Sequence, residues 1–291
     1  MQPGNRQNDI TQCELEDGRM SQNEINGQDK AAPEEAAYGI PEVRRMAFSD
    51  LQACLQMGIA DFRRAPLFGL FFGGIYAFGG ILIFQSFIVF EKGWMIYPVM
   101  VGFPLIGPFV AVGLYDVSRR LAAGMPLPWN EVLTVITSQA NRQLPYMAFV
   151  MLFIFWVWIY QVRLLLALFL GRMSFPSFAS FFEIIATTPE GWLFIGVGHI
   201  VGACFALVLF SLTVISIPMI LDRDVDFITG MITSVNAVVK SPIVMLSWGV
   251  FVTLAVMVSF IPLFLGLLVV LPVLGHTTWH IYQKAVVHEQ D

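Results

Sequence analysis

The chain has 291 residues and a formal net charge of −5, with 57% hydrophobic, 14% aromatic and only 13% charged residues and a mean hydropathy of +0.71. Average soluble domains are about 25% charged and roughly 45–50% apolar, so a body this apolar cannot cover itself with polar surface, and a water-soluble enzyme is excluded. The charge is also unevenly placed: residues 1–46 hold 9 acids and 5 bases, leaving 12 acids and 11 bases for everything after them.

That first stretch is rich in Gln, Asn, Glu, Asp and Gly, which cannot bury enough surface to offset chain entropy. It is read as a disordered acidic cytoplasmic leader over 1–46. No apolar run precedes Ala47, so it is no secretory signal, and its acidity is the opposite of a mitochondrial presequence. Cys13, Cys54 and Cys204 follow no disulfide or metal spacing.

The body, 47–287, reads as all-α and membrane-embedded, because a bilayer core of ~30 Å takes about 20 apolar residues as helix. An amphipathic helix over about 48–64 sets Phe48, Leu51, Leu55, Ile59 and Phe62 on one face. Charge-free spans over about 66–90 and 94–115 follow. Gly102, Pro104, Gly107, Pro108 and Gly113 mark the second as a kinked, closely packed helix. A second amphipathic helix, about 130–144, carries Trp129, Leu133, Ile136, Ala140 and Leu144. It leads into a span over about 145–170, broken only by Arg163. The next span, about 192–216, has His199 as its one titratable group, flanked by Gly198 and Gly202 as a close-crossing pair. A third amphipathic helix, about 226–240, aligns Phe227, Met231, Val235 and Val238. The last apolar stretch is too long for one span and is read as a hairpin, 242–259 and 262–282, with Pro262 opening the returning helix. One long tilted helix in its place would lower the count from six spans to five.

The three amphipathic stretches match one another. Each runs from a capping residue to a proline: Asp50 to Pro66, Asn130 to Pro145 and Asp226 to Pro242, at offsets of 16, 15 and 16 residues. A base precedes each proline (Arg63 and Arg64, Arg142, Lys240), as suits a helix lying in the membrane interface among anionic headgroups. The expected architecture is three repeats of interfacial helix plus helical hairpin in a pseudo-threefold six-helix bundle. Bases sort with both termini: Arg63, Arg64, Arg119, Arg120, Arg142, Arg223, Lys240 and Lys284 on one side, against Lys92 and Arg172 on the other. The positive-inside rule then puts both termini in the cytoplasm.

Three local motifs stand out: GFPLIGPFVAVGLYDVSRRLAAG at 102–124, SIPMILDRDVDFITGMITSVNAVVKSP at 216–242 and LPVLGHTTWHIYQKAV at 271–286. In these the chain resembles a bacterial family of integral membrane proteins known as domain of unknown function 2189, over about Ala47 to Val287. The resemblance implies a multi-pass protein of the bacterial inner membrane and supplies no activity, substrate or catalytic residue.

Residues able to carry chemistry are few. Arg163 lies about 27 Å along its span at 1.5 Å per residue, where a long side chain reaches the outer boundary; Glu183 is an outer-loop residue that could meet it. His199 sits in the apolar zone. Spans 2, 4 and 6 end in Asp116, Arg119 and Arg120; in Asp222, Arg223 and Asp224; and in His276 and His280 on either side of Trp279. Packed about a threefold axis these would converge into a ring of salt bridges serving as lock, partner dock or gate. His276 and His280 share a helix face, but nothing in the sequence fixes further metal ligands, so no cofactor is expected. No P-loop, GxSxG, HExxH or dinucleotide fingerprint occurs in a supporting context, and no Asp or Glu lies inside a span. The expected function is a non-enzymatic scaffold or accessory subunit of a membrane complex, with membrane lipids and a protein partner and without nucleic acid. The alternative is a small permease or lipid-handling protein whose cavity, lined by the kinked second span, reaches His199 or Arg163.

Overall fold

The computed structural model describes residues 40–88, 96–139, 142–171, 173 and 178–287. Residues 1–39, and with them Cys13, lie outside these, as do Lys92, Ala140 and Arg172. The described chain is helical: α1 Phe48–Arg64, α2 Pro66–Ile88, α3 Ile96–Ala122, α4 Trp129–Gln139, α5 Leu144–Leu165 continuing as a π-turn through Leu166–Leu170, α6 Phe178–Thr187, α7 Pro189–Thr213, α8 Ser216–Asp222, α9 Phe227–Lys240, α10 Pro242–Ser259 and α11 Leu267–Ala285. Prolines open α2, α5, α7 and α10 within their first two positions. There the missing N–H would have been unpaired anyway and the fixed φ suits a helix.

Leu144–Leu170, Pro189–Asp222 and Pro242–Ser259 are long and apolar enough to cross a membrane. A fourth candidate is the pair α1 and α2, which pass together but are bent by 100° where they meet. The protein thus has three or four candidate spans among the described residues. The last apolar stretch is two helices. The chain turns at 260–266, where Leu263 and Phe264 hold φ of 51° and 66°, a left-handed conformation costly for residues with a Cβ. The Phe264 ring lies where a side chain at Gly80 would stand, its Cδ1 2.6 Å from that Cβ position. The turn is thereby wedged against α2.

The amphipathic helices meet the bundle through faces the apolar stripes do not mark. On α1 the buried residues are Cys54, Gly58 and Asp61; on α9 they are Gly230, Thr233, Ser234, Ala237 and Val238. Large apolar side chains lie exposed instead: Phe48 on α1, Leu133 on α4, Ile228, Ile232 and Val239 on α9, while Trp129 stacks on Phe68 of α2. Of the expected α9 stripe only Val238 is buried, while Phe227 and Met231 are partly buried against the core. Hydrocarbon outside the bundle attracts Ile as well as any core does, so helices meet through small residues that let backbones approach. The spacing of those small faces is the same twice: Cys54, Gly58, Asp61 and Ala65 precede Pro66 as Gly230, Ser234, Ala237 and Ser241 precede Pro242. Ala65 (φ −130°, ψ 55°) and Ser241 (φ −135°, ψ 57°) break their helices in one conformation. The second lead-in departs, with Gln143 at φ −89°, ψ −17°.

Only one of the three expected caps forms as read. Asp226 accepts the N–H groups of Ile228 and Thr229, both at 3.1 Å. The Thr229 side chain and these N–H groups hold its carboxyl below the usual carboxylate range. Asp50 lies three residues inside α1 and reaches back to the Ala47 N–H at 3.0 Å, whereas Asn130 is already helical. The expected leader boundary also moves. Val43 and Met46 are buried, Val43 pairs antiparallel with Val286, and the Met46 N–H donates to Ser241 Oγ at 2.8 Å. Residues 43–46 therefore strap the end of α11 to the start of α10.

Among its neighbours α11 packs on α1, α2, α3, α8 and α10, while α4 packs on α3 and α9 on α7 and α8. The α1–α11 crossing brings two backbones into close contact. A Cβ at Gly58 would stand 2.7 Å from the Thr277 amide nitrogen and 3.0 Å from its Cα. Backbone atoms cannot rotate aside, so Gly58→Ala should lose about 1–3 kcal/mol through overpacking, despite the roughly 1 kcal/mol that alanine adds to helix propensity. Gly198→Ala, which meets nothing within 4 Å, should lose nothing. Cys54, one turn from Gly58, has its thiol pushed up to about 11 by burial and supplies the readout. In a background lacking the other two cysteines, alkylation at pH 8 should be slow in the parent and in Gly198→Ala and faster in Gly58→Ala.

Candidate functional site

The last turns of α11 face four partners in succession. His276 Nδ1 shares a hydrogen bond with Ser118 Oγ of α3 at 2.7 Å. His280 Nε2 donates to Asp61 of α1 at 2.7 Å, both residues buried at 9% and 5% exposure. The Tyr282 hydroxyl donates to Asp222 of α8 at 2.8 Å, and Gln283 Nε2 reaches the same oxygen at 3.1 Å. Lys284 meets Asp50 of α1 at 3.3 Å. Helical geometry explains the fan. Residues four apart share a face, so His276 and His280 look toward α1 and α3, and Tyr282, 200° further round than His280, looks toward α8. Trp279 fills the centre, buried and stacked on Tyr115 (centroids 6.4 Å apart) and tilted on Tyr282 (5.5 Å).

A second cluster closes the end of α3. Asp116 is fully buried and accepts from Arg119 and, at 2.8 Å, from Arg120 Nε. Arg120 also pairs with Glu131 of α4 at 2.6 Å and donates to the Pro126 carbonyl at 3.3 Å. Its bond to Asp116 raises its guanidinium further above its ordinary value. Beyond α8, Arg223 donates to the Val287 carbonyl at 2.9 Å, and Asp224 pairs with Arg142. At the start of α1, the Ala47 N–H, with Lys284 and Arg44 behind it, holds the Asp50 carboxyl below the ordinary carboxylate range. That contribution is present above the unfolded carboxyl value and fades as pH falls through the lowered one.

The sequence-derived residues therefore divide. Asp116, Arg119, Arg120, Asp222, Arg223, Asp224, His276, Trp279 and His280 gather where α3, α8 and α11 end. Ser118–His276 and Asp222–Tyr282 hydrogen bonds cross-link those helices, while Arg119 and Arg120 pair with Asp116, and Arg120 with Glu131 as well. Arg163 and His199 stand apart, exposed on α5 and α7. No ion pair links Arg163 to Glu183 among the described residues, and His199 Nδ1 bonds the Ile195 carbonyl of its own helix at 2.8 Å. Gly198 faces open space rather than a crossing helix, so the imidazole is not enclosed as the Gly198/Gly202 pair suggested; only Gly202 is approached, by Trp158 at 3.2 Å.

Sequence reasoning passed over Asp61, Ser118 and Tyr282. A signal for Asp61 existed: it is the one carboxylate on the small-residue face of α1, at the position where α9 has Ala237. No comparable periodic signal marked Ser118. The two histidines turn to different partners, and among the described residues no group of three or more His, Cys, Asp or Glu side chains is placed to hold a metal.

Residues 96–222 match the family described as a predicted integral membrane protein, DUF2189. The match takes in the first resemblance motif whole and the opening of the second, so the likeness read from them is borne out over that stretch. It agrees with the apolar helices in making the chain an integral membrane protein. No curated protein and no solved structure matches it.

Removing one partner of a buried ionisable pair strands the other, at about 3–5 kcal/mol. His280→Ala should accordingly lower the unfolding midpoint in detergent sharply. The double variant Asp61→Ala/His280→Ala should recover most of the loss, since Ala237 fills the matching position on α9 with a methyl group alone.

Proposed function

We propose that the protein is a non-enzymatic scaffold or accessory subunit of a complex in the bacterial inner membrane, folded as six spans in three like units with both termini cytoplasmic. The observation that carries the scaffold reading is the use of its polar side chains. His276, His280, Tyr282, Asp222, Asp116 and Arg120 are engaged in fastening helices to one another, as a rigid support requires. The outer surface fits a partner as well. The most apolar stretch of α5 is only 6% buried, against 22% for each of the other two long spans, and it sets Phe149, Phe153, Trp156 and Tyr160 outward.

The threefold reading rests on order. Each amphipathic helix packs on the returning helix of the unit before it: α4 on α3, α9 on α7 and α8, and α1 on α11, which closes the circle. The repeated spacing before Pro66 and Pro242 supports the same view. On this reading the three amphipathic helices lie in the interface, and Ile228, Ile232 and Val239 dip into the lipid. A second reading, a lipid-handling protein or small permease, draws support from a cleft to which α3 contributes Val110, Ala111, Leu114 and Tyr115. That cleft is lined by neither His199 nor Arg163.

Alkaline phosphatase fused after residues 91, 174 or 261 should be active, and after 125, 225 or 287 inactive. An inactive fusion at 261 would remove the sixth span. Purified in mild detergent, the protein should carry a stoichiometric partner that is lost on combined alanine replacement of Phe153, Trp156 and Tyr160. A partner-free monomer would sink the scaffold reading.

A further inference from the structure

A half-open cleft of about 170 Å³ lies between α2, α3, α10 and α11, lined by Tyr76, Val110, Tyr115, Val252, Leu271 and Thr278 among others. That is several times the roughly 10–15 Å³ that one water needs, and a wall this apolar gives water few partners. Its polarity is graded. At one end are Tyr115 and Thr278, one to two turns before Arg119 on α3 and Lys284 on α11; away from those charges the walls are Val110, Leu271 and Val252. Thr278 Oγ1 is occupied by the Leu274 carbonyl at 2.8 Å, and Tyr76 donates to the Gly107 carbonyl at 3.3 Å. Tyr115 is 6% exposed, and its hydroxyl has no hydrogen-bond partner among the described residues. A tyrosine this buried ordinarily finds one. By contrast, the grooves along α5 are almost wholly apolar and have nothing to orient an occupant.

We propose that the cleft holds one acyl chain of a glycerophospholipid, the chain lying along Val110, Leu271 and Val252 and an ester carbonyl accepting a hydrogen bond from the Tyr115 hydroxyl. The gradient selects this occupant. A bilayer lipid is apolar for the length of its chain, accepts hydrogen bonds at the ester, and becomes charged just beyond. Along α3 the same order appears as Val110, Tyr115 and Arg119. Tyrosine also favours the level of the membrane interface. The proposal rests on the membrane reading of α3 and α11 and is independent of whether the protein is a scaffold.

Native mass spectrometry of the full chain, released from nanodiscs of phosphatidylethanolamine and phosphatidylglycerol, tests it. The parent should retain one phospholipid after activation strips the loosely held ones. Tyr115→Phe, which removes only the hydroxyl and keeps the packing, should retain it at least threefold less. Val252→Trp, which fills the cleft, should lose it, while Leu207→Trp on the outer face of α7 should behave as the parent. A parent that retains no phospholipid overturns the proposal, as does another apolar molecule in its place or equal retention by Tyr115→Phe. If Val252→Trp fails to fold, the Tyr115→Phe comparison still decides. A topology result against the cytoplasmic termini would strike the proposed orientation and leave the retention measurement standing.

Discussion

A phenol and two imidazoles that leave water on one helix need partners on its neighbours, because an unpaired buried polar group costs more than a hydrogen bond returns. That constraint governs the end of α11. His276, His280 and Tyr282 are buried, and each turns to a different helix. Satisfying them fixes α1, α3 and α8 relative to α11 more narrowly than apolar contact can, since hydrocarbon packing tolerates sliding and a 2.7 Å bond does not. The Gly58–Thr277 crossing follows from the same requirement: His280 reaches Asp61 because no side chain at 58 holds α1 away.

Much of the fold was legible because its determinants are local. Hydropathy marks the apolar helices, and a proline after an amphipathic run marks where each lead-in ends. The helices at 66–88, 242–259 and 267–285 lie on stretches read as spans for those reasons. What was missed has a common physical source. The apolar stripes were read as facing lipid in the membrane interface, and the small-residue faces by which these helices meet the bundle carry no hydropathy signal. Here a hydrocarbon exterior takes Ile228, Ile232 and Val239, and close helix contact takes Gly230, Ser234 and Ala237.

The site was legible as a composition and not as a wiring. Charged and aromatic groups were expected at the ends of three helices, and the returning helices do meet there. The partners could not be read, because Asp61 and His280 are 219 residues apart and local spacing carries no trace of such a pairing. Arg163 and His199 drew attention by rarity. Rarity in an apolar span signals cost; His199 meets it by bonding the Ile195 carbonyl of its own helix, and Arg163 stands near the end of α5, where a long side chain can reach the membrane boundary.

The strap at 43–46 bears on how the protein is put together. By pairing Val43 with Val286 and Met46 with Ser241 it brings the beginning of the bundle onto its close. Helix α1 then leans on the last helix of the chain much as α4 leans on α3. In the order of synthesis α1 must wait for α11 to be made before the surface that buries Asp61 exists.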